Sequence, residues 1–282
     1  MPQGMGERRV ATGIAGLDGV LHGGLPRAEL SLVLGASGTG KTVLGHQLCR
    51  RFGERSIYFT CLRPAAALGK RQPTSGARLV DLSPLLVELD FDAARARVEA
   101  EWRSGIELAV FDSIEALLCD GRDPSIARRQ TWWLQQTLWE HQITGVGLAL
   151  PDATAIACQG NGPAAAAALV LELRREDGSE SRELRVHKYE GSDFLAGPHR
   201  FRIGDHGLQF SGWDNDGQPL SELATRILTV FRTSRRATVE ELTYLLGADA
   251  DQLEMELRGL LASGQIRSAT QDGHVYYLLQ TP

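Results

Sequence analysis

Lysine is nearly absent. Of the 30 lysines and arginines in the 282-residue chain, only Lys41, Lys70 and Lys188 are lysines. Arginine serves wherever a generic positive charge is enough. A lysine kept against that bias points to a place that wants a compact point charge rather than a planar guanidinium; with three residues, coincidence is the rival reading. Positive charge is not in surplus either. The net charge of −5 excludes a global field drawing the chain to nucleic acid or to an anionic membrane. No apolar run approaches the roughly 18 residues of a membrane-spanning helix. Met1–Val10 carries charge but no apolar stretch of the kind a secretory signal needs. The four cysteines, Cys49, Cys61, Cys119 and Cys158, never pair as CxxC. That spacing argues against a zinc site or a disulfide framework, and for reduced thiols packed in the core of a cytosolic protein.

What is present is alternation. Ser31–Leu34, Ser56–Thr60, Leu108–Phe111, Gly145–Leu150 and Ala168–Leu173 are short apolar runs without a polar face. Such runs read as strands buried on both sides, the habit of a parallel sheet covered by helices. Helical patterns fall between them at Thr42–Phe52, Phe91–Arg103 and Ile126–His141, the last with Trp132, Trp133 and Trp139 as an expected core stripe. The polar stretch Arg174–Arg182 carries Asp-Gly between two strand-like runs and predicts a hairpin. A further strand pair is expected near Arg200–Ile203 and Leu208–Phe210. Asp214–Pro219 is turn chemistry without core residues, so the chain divides there into domains 1–216 and 217–282. Beyond it, three helical stretches and a hairpin around Asp272-Gly273 describe a winged helix. The predicted class is α/β: a mostly parallel central sheet with a small C-terminal winged-helix domain.

Gly35-Ala36-Ser37-Gly38-Thr39-Gly40-Lys41-Thr42 fits GxxxxGK[ST] between a buried strand and a helix. The glycines let backbone N–H groups wrap phosphate oxygens at the positive end of the helix. Lys41 then reaches the β- and γ-phosphates of ATP, and the Thr42 hydroxyl holds Mg²⁺. A chance glycine turn is the rival reading, outweighed by all eight residues in a strand–loop–helix setting. Asp112 closes the strand LAVFD, where an acid is placed to accept from a Mg²⁺-bound water.

These residues resemble a known family. Thr12-Gly13-Ile14-Ala15-Gly16-Leu17-Asp18, Gly23-Gly24-Leu25-Pro26 and the phosphate loop look like the opening of KaiC-like ATPases in the RecA superfamily. Phe111-Asp112-Ser113 is similar to the family's Walker B strand. Lys188-Tyr189-Glu190-Gly191-Ser192, with Phe201-Arg202-Ile203 and Asp205-His206-Gly207-Leu208, is similar to its late β region. The resemblance spans about residues 10–212. It implies self-association, commonly as a hexamer, with ATP between subunits and Lys188 reaching the γ-phosphate of a neighbour. Two departures stand out. Glu190 occupies a place usually basic, and Thr60-Cys61-Leu62-Arg63-Pro64 replaces the stretch where the family carries a glutamate pair that orients the attacking water. Glu115 is a substitute expected to point elsewhere on its helical turn. Binding of ATP and Mg²⁺ is therefore expected, with hydrolysis weak or absent.

The C-terminal segment argues against duplex reading. Glu222–Pro282 holds six arginines against eight acids, and its third helix carries Asp249, Asp251, Glu254 and Glu256 against one arginine. A groove reader needs the reverse balance. Protein–protein or inter-subunit docking is the expected use, with phosphate contacts from Arg232, Arg235 and Arg236 as the rival. Strand exchange is disfavoured as well, because Asp152–Leu173 has no lysine or arginine and only Arg122, Arg128 and Arg129 lie near the other loop. The reading that best fits these residues is a cytoplasmic nucleotide-dependent switch. Its rivals are a slow ATPase or autokinase and a DNA-binding regulator.

Overall fold

Strands that are apolar on both faces need a helical layer on each side, and the chain provides one between almost every pair. The computed structural model describes residues 9–68, 76–118, 124–151, 163–175, 182–204, 207–212, 220–234, 236–262, 265–271 and 273–280. Lys70, Cys119, Cys158, Arg122, Arg235, Asp205-His206 and the 214–219 turn lie outside the described residues.

In chain order the elements run β1 (Arg9–Val10), α1 (Ala15–Val20), β2 (Leu25–Pro26), β3 (Leu30–Gly35), α2 (Lys41–Phe52), β4 (Ser56–Thr60) and α3 (Ala65–Leu68). They continue with β5 (Arg78–Asp81), α4 (Ser83–Val87), α5 (Phe91–Glu99), β6 (Leu108–Asp112), α6 (Ile114–Leu118), α7 (Pro124–Glu140) and β7 (Thr144–Ala149). Then come α8 (Pro163–Ala166), β8 (Leu169–Arg175), β9 (Arg182–Tyr189), β10 (Pro198–Gly204) and β11 (Gly207–Phe210). Nine strands form one sheet in the order β11-β10-β9-β8-β3-β7-β6-β4-β5. From β8 to β5 every pairing is parallel, and β8–β9 and β9–β10 are antiparallel. The expected α/β architecture with a mostly parallel sheet is present.

Packing explains each element. Residues Leu108 to Phe111 of β6 are fully buried. The α2 helix presents Leu44, Gly45, Leu48, Cys49 and Phe52 to the sheet, a stripe at helical spacing. Asp90 caps α5 by accepting from the Ala93 N–H at 2.9 Å. That helix stops at Glu99, short of the expected Arg103. Glu101, 1% exposed, turns inward there to meet Arg78 at 2.6 Å and Arg97 at 3.0 Å. Only one of the three tryptophans is core. Trp133 is buried and donates to Glu99 at 2.7 Å, while Trp132 and Trp139 are 66% and 65% exposed. Seven residues apart, the exposed pair shares the outer face of α7, about 100° round from Trp133.

By compactness, Val20–Gln209 with the chain up to Gly13 forms one unit, and Phe210–Pro282 with Ile14–Gly19 forms the other. The second contains α9 (Glu222–Ser234), β12 (Arg236–Ala237), α10 (Val239–Leu246), α11 (Ala250–Ala262), β13 (Ile266–Gln271) and β14 (His274–Leu279), with strands in the order β12-β14-β13. Ala224, Ile227, Leu228 and Phe231 of α9 pack with Leu242, Leu253, Leu257, Leu260 and Ile266 in its core. Thr238 and Glu241 cap α10 reciprocally, side chain to backbone, at 3.2 and 2.9 Å. No helix among the described residues is long and apolar enough to cross a membrane.

Candidate functional site

In an open α/β sheet, ligands meet the carboxyl ends of the parallel strands where neighbouring connections diverge. Here β3 lies between β7 and β8, and Gly35–Thr42 runs from its end into α2. Gly38 and Gly40 have φ of 82° and 114°, backbone that L side chains rarely adopt. Gly40 is also the N-cap of α2, and a Cβ there would lie 2.9 Å from Ile203 Cδ1. The Thr39 hydroxyl pins the turn by donating to the Ala36 carbonyl at 2.9 Å. No side chain among the described residues caps the N-terminus of α2. Its first-turn N–H groups have no partner within the helix, which leaves them for an anion bound in the loop.

Lys41 bends back over the loop, donating to the carbonyls of Gly35 at 2.5 Å and Ala36 at 3.0 Å. Burial lowers its pKa, opposed by the charges of Asp112 and Glu115. An amine held this way is poorly hydrated, so an anion arriving in the loop gains more from it than from an exposed lysine.

Asp112, at the end of β6, meets Thr42 across the sheet. The Thr42 hydroxyl donates to Asp112 Oδ2 at 2.8 Å. The hydroxyl of Tyr58, a fully buried residue of β4, donates to the same oxygen at 2.6 Å. A hydroxyl and a carboxylate in contact form the hard oxygen donor set that suits Mg²⁺, so the residues present fit that ion. Sequence pattern does not single out Tyr58. Within Ser56–Thr60 it reads as one more apolar strand residue, and only the fold directs its hydroxyl.

At the end of β4 there is no carboxylate. Cys61 is 1% exposed, and burial pushes its thiol well above the ordinary range, with Asp112, Glu115 and Asp81 adding to the rise. Leu62 is 60% exposed. Asp81, at the end of β5, is committed locally, accepting from Ala65 N–H at 2.7 Å and from Ser83 N–H and hydroxyl at 2.9 and 2.7 Å. Burial pushes its pKa up, but these bonds outweigh it and hold the carboxyl below its usual range.

The charges of Lys41 and Asp112 act on Glu115. Its Oε1 accepts from Leu150 N–H at 3.3 Å, while Oε2 is buried with no hydrogen-bond partner among the described residues. Burial raises its pKa, partly offset by backbone hydrogen bonds and by Lys41. Lys188 is engaged elsewhere. Its amine donates to the Ala165 carbonyl at 2.7 Å and pairs with Glu190 at 2.5 Å, the residue that departs from the family pattern.

The chain is similar to known proteins. The family described as "ATPase: KaiC" matches residues 10–104. A UPF0273 protein of Thermotoga maritima is 27% identical over 231 residues, covering 71% of this chain and 95% of that protein. The circadian clock oscillator protein KaiC of Prochlorococcus marinus subsp. pastoris is 30% identical over 228 residues, 71% of this chain but 44% of its own length. The crystal structure of a KaiC-like protein from Pyrococcus horikoshii OT3 superposes with a TM-score of 0.56 at 22% identity, over 72% of this chain and 98% of that one. With its phosphate loop, Asp112 strand end and mostly parallel sheet, the chain is similar to the KaiC-like ATPases, and residues 10–104 match that family directly.

Proposed function

We propose that the protein is a nucleotide-dependent switch that binds ATP with Mg²⁺, self-associates, and hydrolyses ATP weakly or not at all. One observation carries this reading: Thr42 and Asp112 in contact beside Lys41, next to a β4 end that offers only Cys61 and Leu62. Gly35, Ala36, Ser37, Gly38, Thr39 and Gly40 would wrap the phosphates, with Lys41 on the β- and γ-phosphates. Thr42 and Asp112 would hold Mg²⁺, which when bound neutralises phosphate charge. In a ring, commonly six-membered in this family, Lys188 would address the γ-phosphate of the adjacent subunit. For that it must leave Glu190, so assembly and nucleotide state become coupled. Free, buried Cys49 and Cys61 suit a reducing, cytoplasmic setting. The test is assembly state by light scattering with ATP, with ADP and without nucleotide. Equal assembly in all three sinks the switch.

A slow ATPase, or an autokinase, is the second reading, favoured by the buried Glu115 oxygen that has no partner among the described residues. Turnover above that of Lys41→Ala would support it. We place the domain division at 216/217 and read the C-terminal segment as a winged helix used for protein docking. The helix–strand–helix–helix–hairpin order supports the assignment. Its α11 helix carries Asp251, Glu254 and Glu256 against Arg258 alone. Arg236 is taken up by Gln271 and by the Tyr276 ring, 4.4 Å from its centroid. A DNA-binding regulator is accordingly the weakest of the three readings.

A further inference from the structure

A fully buried tyrosine hydroxyl must find an acceptor or bear the cost of desolvation. The hydroxyl of Tyr58 finds the Asp112 carboxylate at 2.6 Å, reaching from β4 to the adjacent strand β6. Its ring lies against the His46 ring of α2, with centroids 4.9 Å apart and planes at 57°. His46 stands one turn after Thr42 in the same helix. Burial lowers its pKa, and neutral it adds no second charge beside Asp112.

The two Asp112 oxygens are therefore unequal. Oδ2 accepts from both Thr42, at 2.8 Å, and Tyr58. Oδ1 meets only the Ser113 hydroxyl among the described residues, at the marginal distance of 3.5 Å. Oδ1 is thus the oxygen left for the shell of a divalent cation. When the Thr42 hydroxyl turns from Asp112 to such a cation, Tyr58 alone of these two donors remains to fix the carboxylate plane. A hydrogen bond to an ionised group is worth enough to hold one rotamer against its alternatives.

We propose that Tyr58 is a positioning residue of the Mg²⁺ site, holding Asp112 through Oδ2 so that Oδ1 addresses the metal shell. The proposal rests on the reading of Gly35–Thr42 as an ATP–Mg²⁺ site and deepens it. It makes Tyr58 specific to metal-dependent binding. Nucleotide contacts that need no metal, through the loop and Lys41, do not depend on it.

The experiment is calorimetric titration of ATP across a Mg²⁺ series, and in EDTA, for the parent, Tyr58→Phe, Asp112→Asn and the double variant. Phe keeps the ring against His46 and removes only the hydroxyl. The expected result is a Mg²⁺ midpoint about tenfold higher in Tyr58→Phe, with affinity in EDTA unchanged. On the Asp112→Asn background the same step leaves the midpoint where it was. A midpoint that is unmoved or lower, or an effect equally large in EDTA, overturns the proposal. So does a shift of the same size on both backgrounds. A parent that binds ATP with an unresponsive midpoint in Tyr58→Phe removes this inference alone. A parent that binds no ATP at any Mg²⁺ concentration removes the reading of the site as well.

Discussion

Returning a carboxylate to the end of β4 separates two neighbouring positions. Cys61 and Leu62 are adjacent, but one is 1% and the other 60% exposed. Cys61 packs in the cluster with Phe59, Val80, Leu82 and Phe111. An ionised carboxylate there, without a cationic partner, costs about 4 kcal/mol after relaxation, a large part of the roughly 5–15 kcal/mol that holds a domain folded. At ~2–4 °C per kcal/mol for a domain of this size, Cys61→Glu should melt about 8–16 °C below the parent at pH 8. Leu62→Glu, facing solvent, should stay within about 0.5 kcal/mol. Burial raises the folded-state pKa of the new carboxyl above its unfolded value near 4.3. Between those two values the folded state binds more protons, so stability falls as pH rises, and the deficit at pH 5 must be smaller than at pH 8. Thermal unfolding at both pH values is the assay. A Cys61→Glu protein melting with the parent at pH 8, or a deficit larger at pH 5, would refute the reasoning. Leu62→Glu is then the variant in which added turnover is expected.

Gly40→Ala combines a φ of 114° with a Cβ 2.9 Å from Ile203. A strain of about 1–2 kcal/mol in the loop should weaken ATP binding roughly tenfold. Adding Ile203→Ala should recover only part of that loss, since the contact goes and the strained φ stays; titration of both proteins decides it. Glu115→Gln should retain ATP affinity and bring any residual turnover down to the Lys41→Ala level. Because Glu115 is raised above 4.5 by burial, its ionisation destabilises the fold as pH rises through that range. The stability of the Gln variant relative to the parent should therefore increase from acid to neutral pH, and a constant difference would contradict the assignment. For the C-terminal segment, fluorescence anisotropy should detect no salt-sensitive duplex binding at low ionic strength. Binding lost in Arg236→Ala would overturn that expectation.

Much of the site is legible in the sequence because it is contiguous. Gly35–Thr42 and Asp112 are read from local pattern, and the strands around them from unbroken apolar runs. What sequence pattern misses is decided across strands or at edges. Tyr58 donates to a residue 54 positions away, so nothing in Ser56–Thr60 betrays its role. Glu115 sits on a five-residue helix whose orientation depends on the strand before it and on Leu150 beyond it. At the sheet edge β5 escapes notice, since only Val80 of Arg78–Asp81 is fully buried and the apolar signal halves. The two-residue β12 is too short to carry any period. Trp132 and Trp139 read as core because aromatic residues usually are, whereas their helical phase relative to Trp133 puts them outside.

The central claim is that an intact ATP site sits beside a missing water-positioning carboxylate. Calorimetric titration with ATP and Mg²⁺, run beside turnover of the same preparation and of Lys41→Ala, tests it most directly. The account predicts ATP binding in the parent, weakened at least tenfold in Lys41→Ala, with parent turnover close to that of the variant. Rapid turnover that Lys41→Ala abolishes would contradict it.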